Sequence, residues 1–139
     1  MDRNLKSVLV LGLGRVGTLV GILLEKAGFH VSGADLHPKA ILPFETKKID
    51  VTDIDQVTEM MQRYDGVVSC LPYHFNLEIA TRACRYGIHY FDLTEDVPTT
   101  KQIITLSDSA QSVLAPQCGL APGFIGIAGA ALVEKFDKI

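Results

Sequence analysis

Little in this chain points to a metal, a disulfide framework, a membrane or a nucleic acid. It has three cysteines, Cys70, Cys84 and Cys118, an odd and widely spaced set. They fit neither a zinc spacing nor a disulfide framework, so reduced thiols in a cytoplasmic protein are the simplest reading. The four histidines, His30, His37, His74 and His89, show no HxxxH or HExxH spacing, and no metal is expected. No apolar run reaches the ~18–20 residues of a membrane span. Met1-Asp2-Arg3-Asn4-Leu5-Lys6 runs directly into an apolar segment, which leaves no room for a signal peptide. The net charge of −3 includes no basic stripe, so nucleic acid is not an expected partner. Repeats and low-complexity segments are absent. At 139 residues, 47% hydrophobic and 21% charged, the chain has the makings of one globular domain with its own core.

The informative stretch is Val8 to Thr18. An apolar run, Val8 to Leu11, leads straight into Gly12-x-Gly14-x-x-Gly17, and an apolar pattern of helical period follows. That order of strand, glycine turn and helix suits a dinucleotide. Gly12 permits the tight turn, Gly14 clears a side chain from the path of the pyrophosphate, and Gly17 lets the helix pack close to the sheet. The helix N-terminus then offers N–H groups and a partial positive charge to the phosphates. Val16, Leu19, Val20, Leu23, Leu24 and Ala27 recur at helical spacing, and Gly28 stops the helix. A second strand, Phe29 to Ala34, ends at Asp35, close to the ~20-residue offset expected of a ribose-binding acid.

Strand-like and helix-like runs alternate from end to end, which predicts a parallel sheet covered on both faces. The stretch from His37 to Pro43 reads as a turn between two prolines, and Lys48 to Val51 as a third strand. Thr52-Asp53-Ile54-Asp55 resembles a capping box and opens a helix with Ile54, Val57, Met61 and Tyr64 on one face. Gly66 to Leu71 is a fourth strand, followed by a helix from about Phe75 to Arg85. Ile88 to Leu93 is a fifth strand, Asp96-Val-Pro98 opens another helix, and Ser112 to Ala115 is a sixth strand. Phe124 to Phe136 reads as a last helix. The expected class is α/β, a doubly wound Rossmann sheet of six strands in the order 3-2-1-4-5-6.

In such a sheet ligands lie beyond the carboxyl ends of the strands, at the switch point between strands 1 and 4. The turn supplies Gly12, Leu13, Gly14, Arg15, Val16 and Gly17 as cofactor contacts. Asp35 can accept hydrogen bonds from both ribose hydroxyls and repels a 2′-phosphate, so NAD is expected over NADP. Lys39 and Arg15 are the cations that keep NADP as the second option. The plainer reading of Asp35 is a cap or a solvated loop acid. Asp50 and Val51 end the third strand where adenine is often met, and Leu71 and Pro72 at the tip of the fourth face the nicotinamide ribose. Cys70 reads as core packing.

The second half narrows the family. Cys70-Leu-Pro-Tyr-His-Phe-Asn76, His89-Tyr-Phe-Asp-Leu-Thr-Glu-Asp96 and Pro116-Gln-Cys-Gly-Leu-Ala-Pro-Gly-Phe124 resemble the saccharopine dehydrogenase-like family over about Ser7 to Phe136. That family includes saccharopine reductases, lysine 6-dehydrogenases and carboxynorspermidine or homospermidine synthase-type enzymes. The resemblance implies an NAD(P)-dependent oxidoreductase acting on C–N bonds of an amino-acid or polyamine substrate, with hydride passing between nicotinamide and an amine or imine carbon. Saccharopine reductases tend to carry GLDPG, whereas the matching position here is Ala121, which leans towards the lysine 6-dehydrogenase-like branch or an uncharacterised one. The resemblance also implies a substrate domain after the GLxPG loop. The sequence ends at Ile139, so residues 1–139 are expected to be an N-terminal cofactor domain, inactive alone.

Polar groups at the strand tips are Tyr73, His74, Asp92, Thr94, Glu95 and Asp96, of which Tyr73, Asp92 and Asp96 are the catalytic candidates. Their plainer roles are structural: Asp92 holding a loop, Asp96 capping a helix, His74 solvated. The apolar face of the last helix (Ile125, Ile127, Ala128, Ala131, Leu132, Phe136) invites pairing into a homodimer. The competing function is a non-catalytic nucleotide sensor like the regulatory domains of potassium transporters, which also begin with a GxGRxG turn.

Overall fold

The apolar run before the glycine turn becomes β1 (Ser7–Leu11), a central strand buried along Val8 to Leu11. In the computed structural model, which describes residues 5–38 and 41–136, α1 (Arg15–Lys26) and β2 (His30–Asp35) follow it. Then come β3 (Glu45–Lys48), α2 (Ile54–Met61), β4 (Gly66–Ser69), a 3-10 turn (Tyr73–Phe75) and α3 (Asn76–Tyr86). The chain continues through β5 (His89–Asp92), α4 (Val97–Ser107), β6 (Leu114–Ala115) and α5 (Phe124–Val133). All strand pairs are parallel, in the order β3-β2-β1-β4-β5-β6. The Rossmann order expected from the alternation is therefore the order observed. Lys39 and part of the expected 37–43 turn lie outside the described residues.

Strand alternation sorts the core into two layers. Leu9, Leu11, Val67, Tyr90 and Leu114 face Val57 and Met61 of α2, Ile79 and Ala83 of α3, and Ile103 of α4. On the opposite face Val10 and Val31 pack with Leu13 and Phe44. There α1 lies against β1 and β2. Its only buried residues are Gly17 and Gly21, and the Phe44 ring occupies the space a Cβ on Gly21 would need. Contact through glycines draws the helix onto the sheet and leaves Val16, Leu19 and Leu23 55%, 55% and 56% exposed.

Several boundaries differ from the sequence reading. The third strand is Glu45–Lys48, because its ladder runs only to Lys48, opposite Asp35, where β2 ends. The apolar signal at Ile49 comes from a buried residue just past the strand. The cap of α2 is Asp53, whose Oδ1 accepts from the Gln56 N–H at 3.1 Å. Thr52 instead turns back, its N–H and hydroxyl donating to Asp50 Oδ1 at 3.0 and 2.7 Å. Strands β4, β5 and β6 are shorter than their apolar runs, and α5 ends at Val133. Among the described residues no helix is long and apolar enough to cross a membrane.

Candidate functional site

The turn after β1 is held by backbone. Gly12 has φ of +85° and donates its N–H to the Ala34 carbonyl at 2.9 Å, a conformation that favours glycine. A Cβ on Gly17 would overlap the Gly12 carbonyl oxygen, so this glycine sets how closely α1 approaches the turn. Gly14 is different. It is exposed, and a Cβ there would meet no protein atom within 4 Å. Gly14 is also the N-cap of α1, with no side-chain cap and no acid in the first turn. The free N–H groups of that turn are therefore open to an anion, with the helix dipole behind them.

Asp35 sits at the carboxyl end of β2 and ties it to the turn. Its Oδ2 accepts from the Leu13 N–H at 2.6 Å and its Oδ1 from the His37 N–H at 2.9 Å. A carboxylate has about four acceptor positions, so both oxygens keep capacity for another donor. Leu13 is buried while Arg15 and Val16 are exposed. Asp50 is exposed, and its bonds from Thr52 hold its carboxyl below the usual range. Val51 packs partly into the main core.

Beside the turn, between the ends of β4 and β5, lies a cleft of about 470 Å³. Val16 comes to it from α1, and Cys70, Leu71 and Tyr73 from the β4–α3 connection. Leu93, Thr94, Glu95 and Asp96 come from the β5–α4 loop. Pro72 is exposed and starts the 3-10 turn. Asp96 both lines the cleft and caps α4, its Oδ2 accepting from the Thr99 N–H at 2.9 Å. Those Thr99 hydrogen bonds hold its carboxyl below the usual range, so it is a carboxylate at neutral pH. Cys70 is mostly buried, and burial pushes its thiol up to about 11. The Cys70 thiol is thus expected to react with iodoacetamide at pH 7.5 at least tenfold more slowly than free cysteine, read by peptide mass mapping. Labelling at the free-thiol rate would contradict that burial.

Of the three catalytic candidates the structure brings two, Tyr73 and Asp96, to the cleft. Asp92 lies beneath it, fully buried. Its Oδ2 accepts from the Tyr90 hydroxyl at 2.7 Å, and its Oδ1 from the Thr94 N–H at 2.9 Å and the Gln117 N–H at 3.1 Å. The Cys118 N–H adds a bond to the Asp92 carbonyl at 2.7 Å. One residue therefore joins the loop after β5 to the loop after β6. Tyr90 is kept protonated by its own burial first, then by the neighbouring Asp92 charge and hydrogen bond. A second support is the buried bond from Ser69 Oγ to Asn76 Oδ1 at 2.7 Å, which anchors the cleft's β4–α3 connection. Sequence reasoning missed Ser69, Asn76, Tyr90 and Gln117 in these roles. Only a polar residue within an otherwise apolar strand, as at Ser69, could have signalled one of them.

The open seat at Gly14, the uncapped helix end, Asp35 and the adjoining cleft together fit a dinucleotide. The comparison with known families agrees: the model of the saccharopine dehydrogenase NADP binding domain matches residues 8–115. The chain belongs to that family. Among solved structures, apo saccharopine dehydrogenase (L-Glu forming) from Saccharomyces cerevisiae superposes with a TM-score of 0.78 at 22% identity. The match covers 94% of this chain and 31% of the yeast enzyme, so the chain spans about a third of that protein's length. The Kef CTD of Shewanella denitrificans in AMP-bound form gives a TM-score of 0.65 at 22% identity, covering 92% of this chain and 82% of that one. A D-isomer specific 2-hydroxyacid dehydrogenase from Xanthobacter autotrophicus Py2, in complex with NADPH and MES, gives 0.58 at 22%, covering 80% and 48%. At these identities the likeness establishes a shared fold. In this saccharopine dehydrogenase-type domain, Gly12 to Gly17 and Asp35 stand where they could hold NAD(P), with Leu71 and Tyr73 on the side of the cleft.

Proposed function

We propose that this chain is the cofactor domain of an NAD(P)-dependent oxidoreductase acting at a C–N bond of an amino acid or polyamine. The observation that carries this reading is the continuity of the uncapped glycine turn with an acid-lined cleft, through Val16. When bound, the nicotinamide would supply the hydride chemistry. The chain's own part is to seat the phosphates on the first turn of α1 and to place Glu95 and Asp96 beside the cleft. Asp96, held as a carboxylate by Thr99, is suited to attract a substrate ammonium. Its low proton affinity makes it a poor base at neutral pH. Asp92 serves as a positioning residue through the two loops it joins.

Asp35 supports a preference for NAD, since its free lone pairs can take ribose hydroxyls and its charge opposes a 2′-phosphate. Fluorescence titration is expected to give tighter binding of NADH than of NADPH. Asp35→Asn, which keeps an acceptor for Leu13, is expected to reduce that ratio about tenfold, near the ~1.5–3 kcal/mol of a charge-assisted hydrogen bond. Tighter binding of NADPH by the unmodified chain would reverse the role given to Asp35. Failure to bind either nucleotide would remove the proposed function.

A nucleotide sensor is the second reading, supported by the length match to the AMP-bound Kef CTD. It predicts AMP or NAD(H) binding with no turnover of lysine, saccharopine or polyamines, even when every segment of the natural protein is present.

A further inference from the structure

The cleft beside the glycine turn is charged on one side only. Its lining from the β5–α4 loop ends in two consecutive acids, Glu95 and Asp96. Among the described residues no lysine, arginine or histidine lines it. Asp92 adds a third acid beneath, held by Tyr90, Thr94 and Gln117. A charge buried there is screened less than one at the surface. Two positive contributions oppose the acids. Helices α3 and α4 begin at this end of the sheet, and each N-terminus is equivalent to about half a positive charge. Asp96 is itself the cap of α4, and the first turn of α3 carries Glu78. The acids therefore outweigh the helix ends. The exposed Arg15 belongs to the first turn of α1, where the charges of a pyrophosphate would outweigh it. Tyr73 acts in the same sense as the acids. Its ring is 54% exposed in the cleft, and the face of an aromatic ring attracts a cation.

A nicotinamide dinucleotide brings to such a cleft a group whose charge follows its redox state. The oxidised ring is a pyridinium cation and the reduced ring is neutral, while the phosphates, riboses and adenine are the same in both. Val16 belongs both to the first turn of α1 and to the cleft lining. With the phosphates on that turn, the cleft is the neighbouring seat for the ring.

We propose that this cleft discriminates the redox state of the cofactor, binding the oxidised nicotinamide more tightly than the reduced one through Glu95, Asp96 and Tyr73. The inference rests on the dinucleotide reading above and deepens it, since the same acids act on the cofactor ring as well as on a substrate ammonium. Tighter binding of the oxidised form lowers the midpoint potential of the bound couple, by about 30 mV for each tenfold in the ratio of affinities. The bound reduced cofactor is then the stronger hydride donor. Discrimination needs no turnover, so it would serve an oxidoreductase and a nucleotide sensor alike.

Glu95 is the residue to change. It is exposed and makes no ion pair among the described residues, so Glu95→Gln is expected to keep the fold. Asp96 is less suitable, because α4 uses it as a cap. The chain is titrated calorimetrically with NAD⁺, NADH and ADP-ribose, which lacks the nicotinamide. NAD⁺ is expected to bind at least roughly threefold more tightly than NADH. In Glu95→Gln that ratio is expected to fall about threefold, with the affinity for ADP-ribose unchanged. The change is modest because an exposed charge acts through screening solvent, and it should shrink between about 20 and about 300 mM salt. Tyr73→Leu is expected to lower the ratio as well. Equal affinities for NAD⁺ and NADH, or a ratio that Glu95→Gln leaves in place, would overturn the proposal and leave the dinucleotide reading standing. ADP-ribose bound as tightly as both dinucleotides would overturn it too, by putting the nicotinamide outside the cleft. Binding of none of the three would remove the dinucleotide reading itself, and this inference with it.

Discussion

Replacing Asp92 by alanine is expected to destabilise the protein by roughly 3–5 kcal/mol. The substitution removes an acceptor from three donors at once: the Tyr90 hydroxyl and the N–H groups of Thr94 and Gln117. Tyr90 is fully buried, so its hydroxyl cannot turn to water. An unsatisfied buried donor costs about 1–3 kcal/mol, and relief of burying a carboxylate offsets only part of the sum. Asp92→Asn separates the contributions. It can keep Oδ1 for Thr94 and Gln117 and loses the oxygen facing Tyr90, so about half the stability is expected to return. Urea unfolding measures both changes, and Asp92→Ala within 1 kcal/mol of the unmodified chain would refute the clamp. NADH affinity should follow the same order, because the clamp sets the loop that lines the cleft.

The same pair gives an alkaline signature. Burial, then the Asp92 charge, raises the Tyr90 phenol in the folded protein above its unfolded value near 10. The neutral phenol is therefore the folded form. Its contribution to stability is complete below about pH 10 and is lost as pH rises beyond it, where the unfolded chain can ionise and the native one cannot. In Tyr90→Phe that slope should flatten, while stability at pH 7 falls by about 1–3 kcal/mol because Asp92 loses a donor.

The parts of the protein that were legible in the sequence are those where local chemistry and tertiary need coincide. Gly12 needs its positive φ, Gly17 its close approach and Asp35 its place at a strand end, and each is governed within one βαβ unit. Strand order followed from the parallel alternation and its handedness. The Asp92 clamp was not legible in full, since its donors come from 90, 94 and 117, and only folding brings the last beside the first two. Third-strand placement failed for a related reason: Ile49 is apolar because of what packs over it, not because it lies in the ladder. The α1 stripe carried the opposite lesson. Val16, Leu19 and Leu23 have helical spacing yet stay exposed, and the face that meets the sheet combines the buried Gly17 and Gly21 with the half-buried Val20 and Leu24.

That glycine face supplies the other large effect, and a paired control. Gly17→Ala is expected to lose 3 kcal/mol or more, above the roughly 1–3 kcal/mol of ordinary overpacking. The added methyl would overlap the Gly12 carbonyl oxygen, a backbone atom with no rotamer to escape by. Relief requires either lifting α1 from the sheet or opening a turn whose Gly12 N–H is bonded to Ala34. Gly14→Ala should behave in the reverse way. Its methyl meets no protein atom within 4 Å, so stability should change by no more than about 1 kcal/mol, the loss of a permissive N-cap. The methyl would instead occupy the open space over the helix N-terminus, and NADH affinity is expected to fall at least tenfold, about 1.4 kcal/mol. Thermal unfolding and nucleotide titration on the same two variants therefore separate two demands on the turn. Unchanged NADH binding by Gly14→Ala would show that the phosphates sit elsewhere. Native stability in Gly17→Ala would show that α1 can retreat without loss.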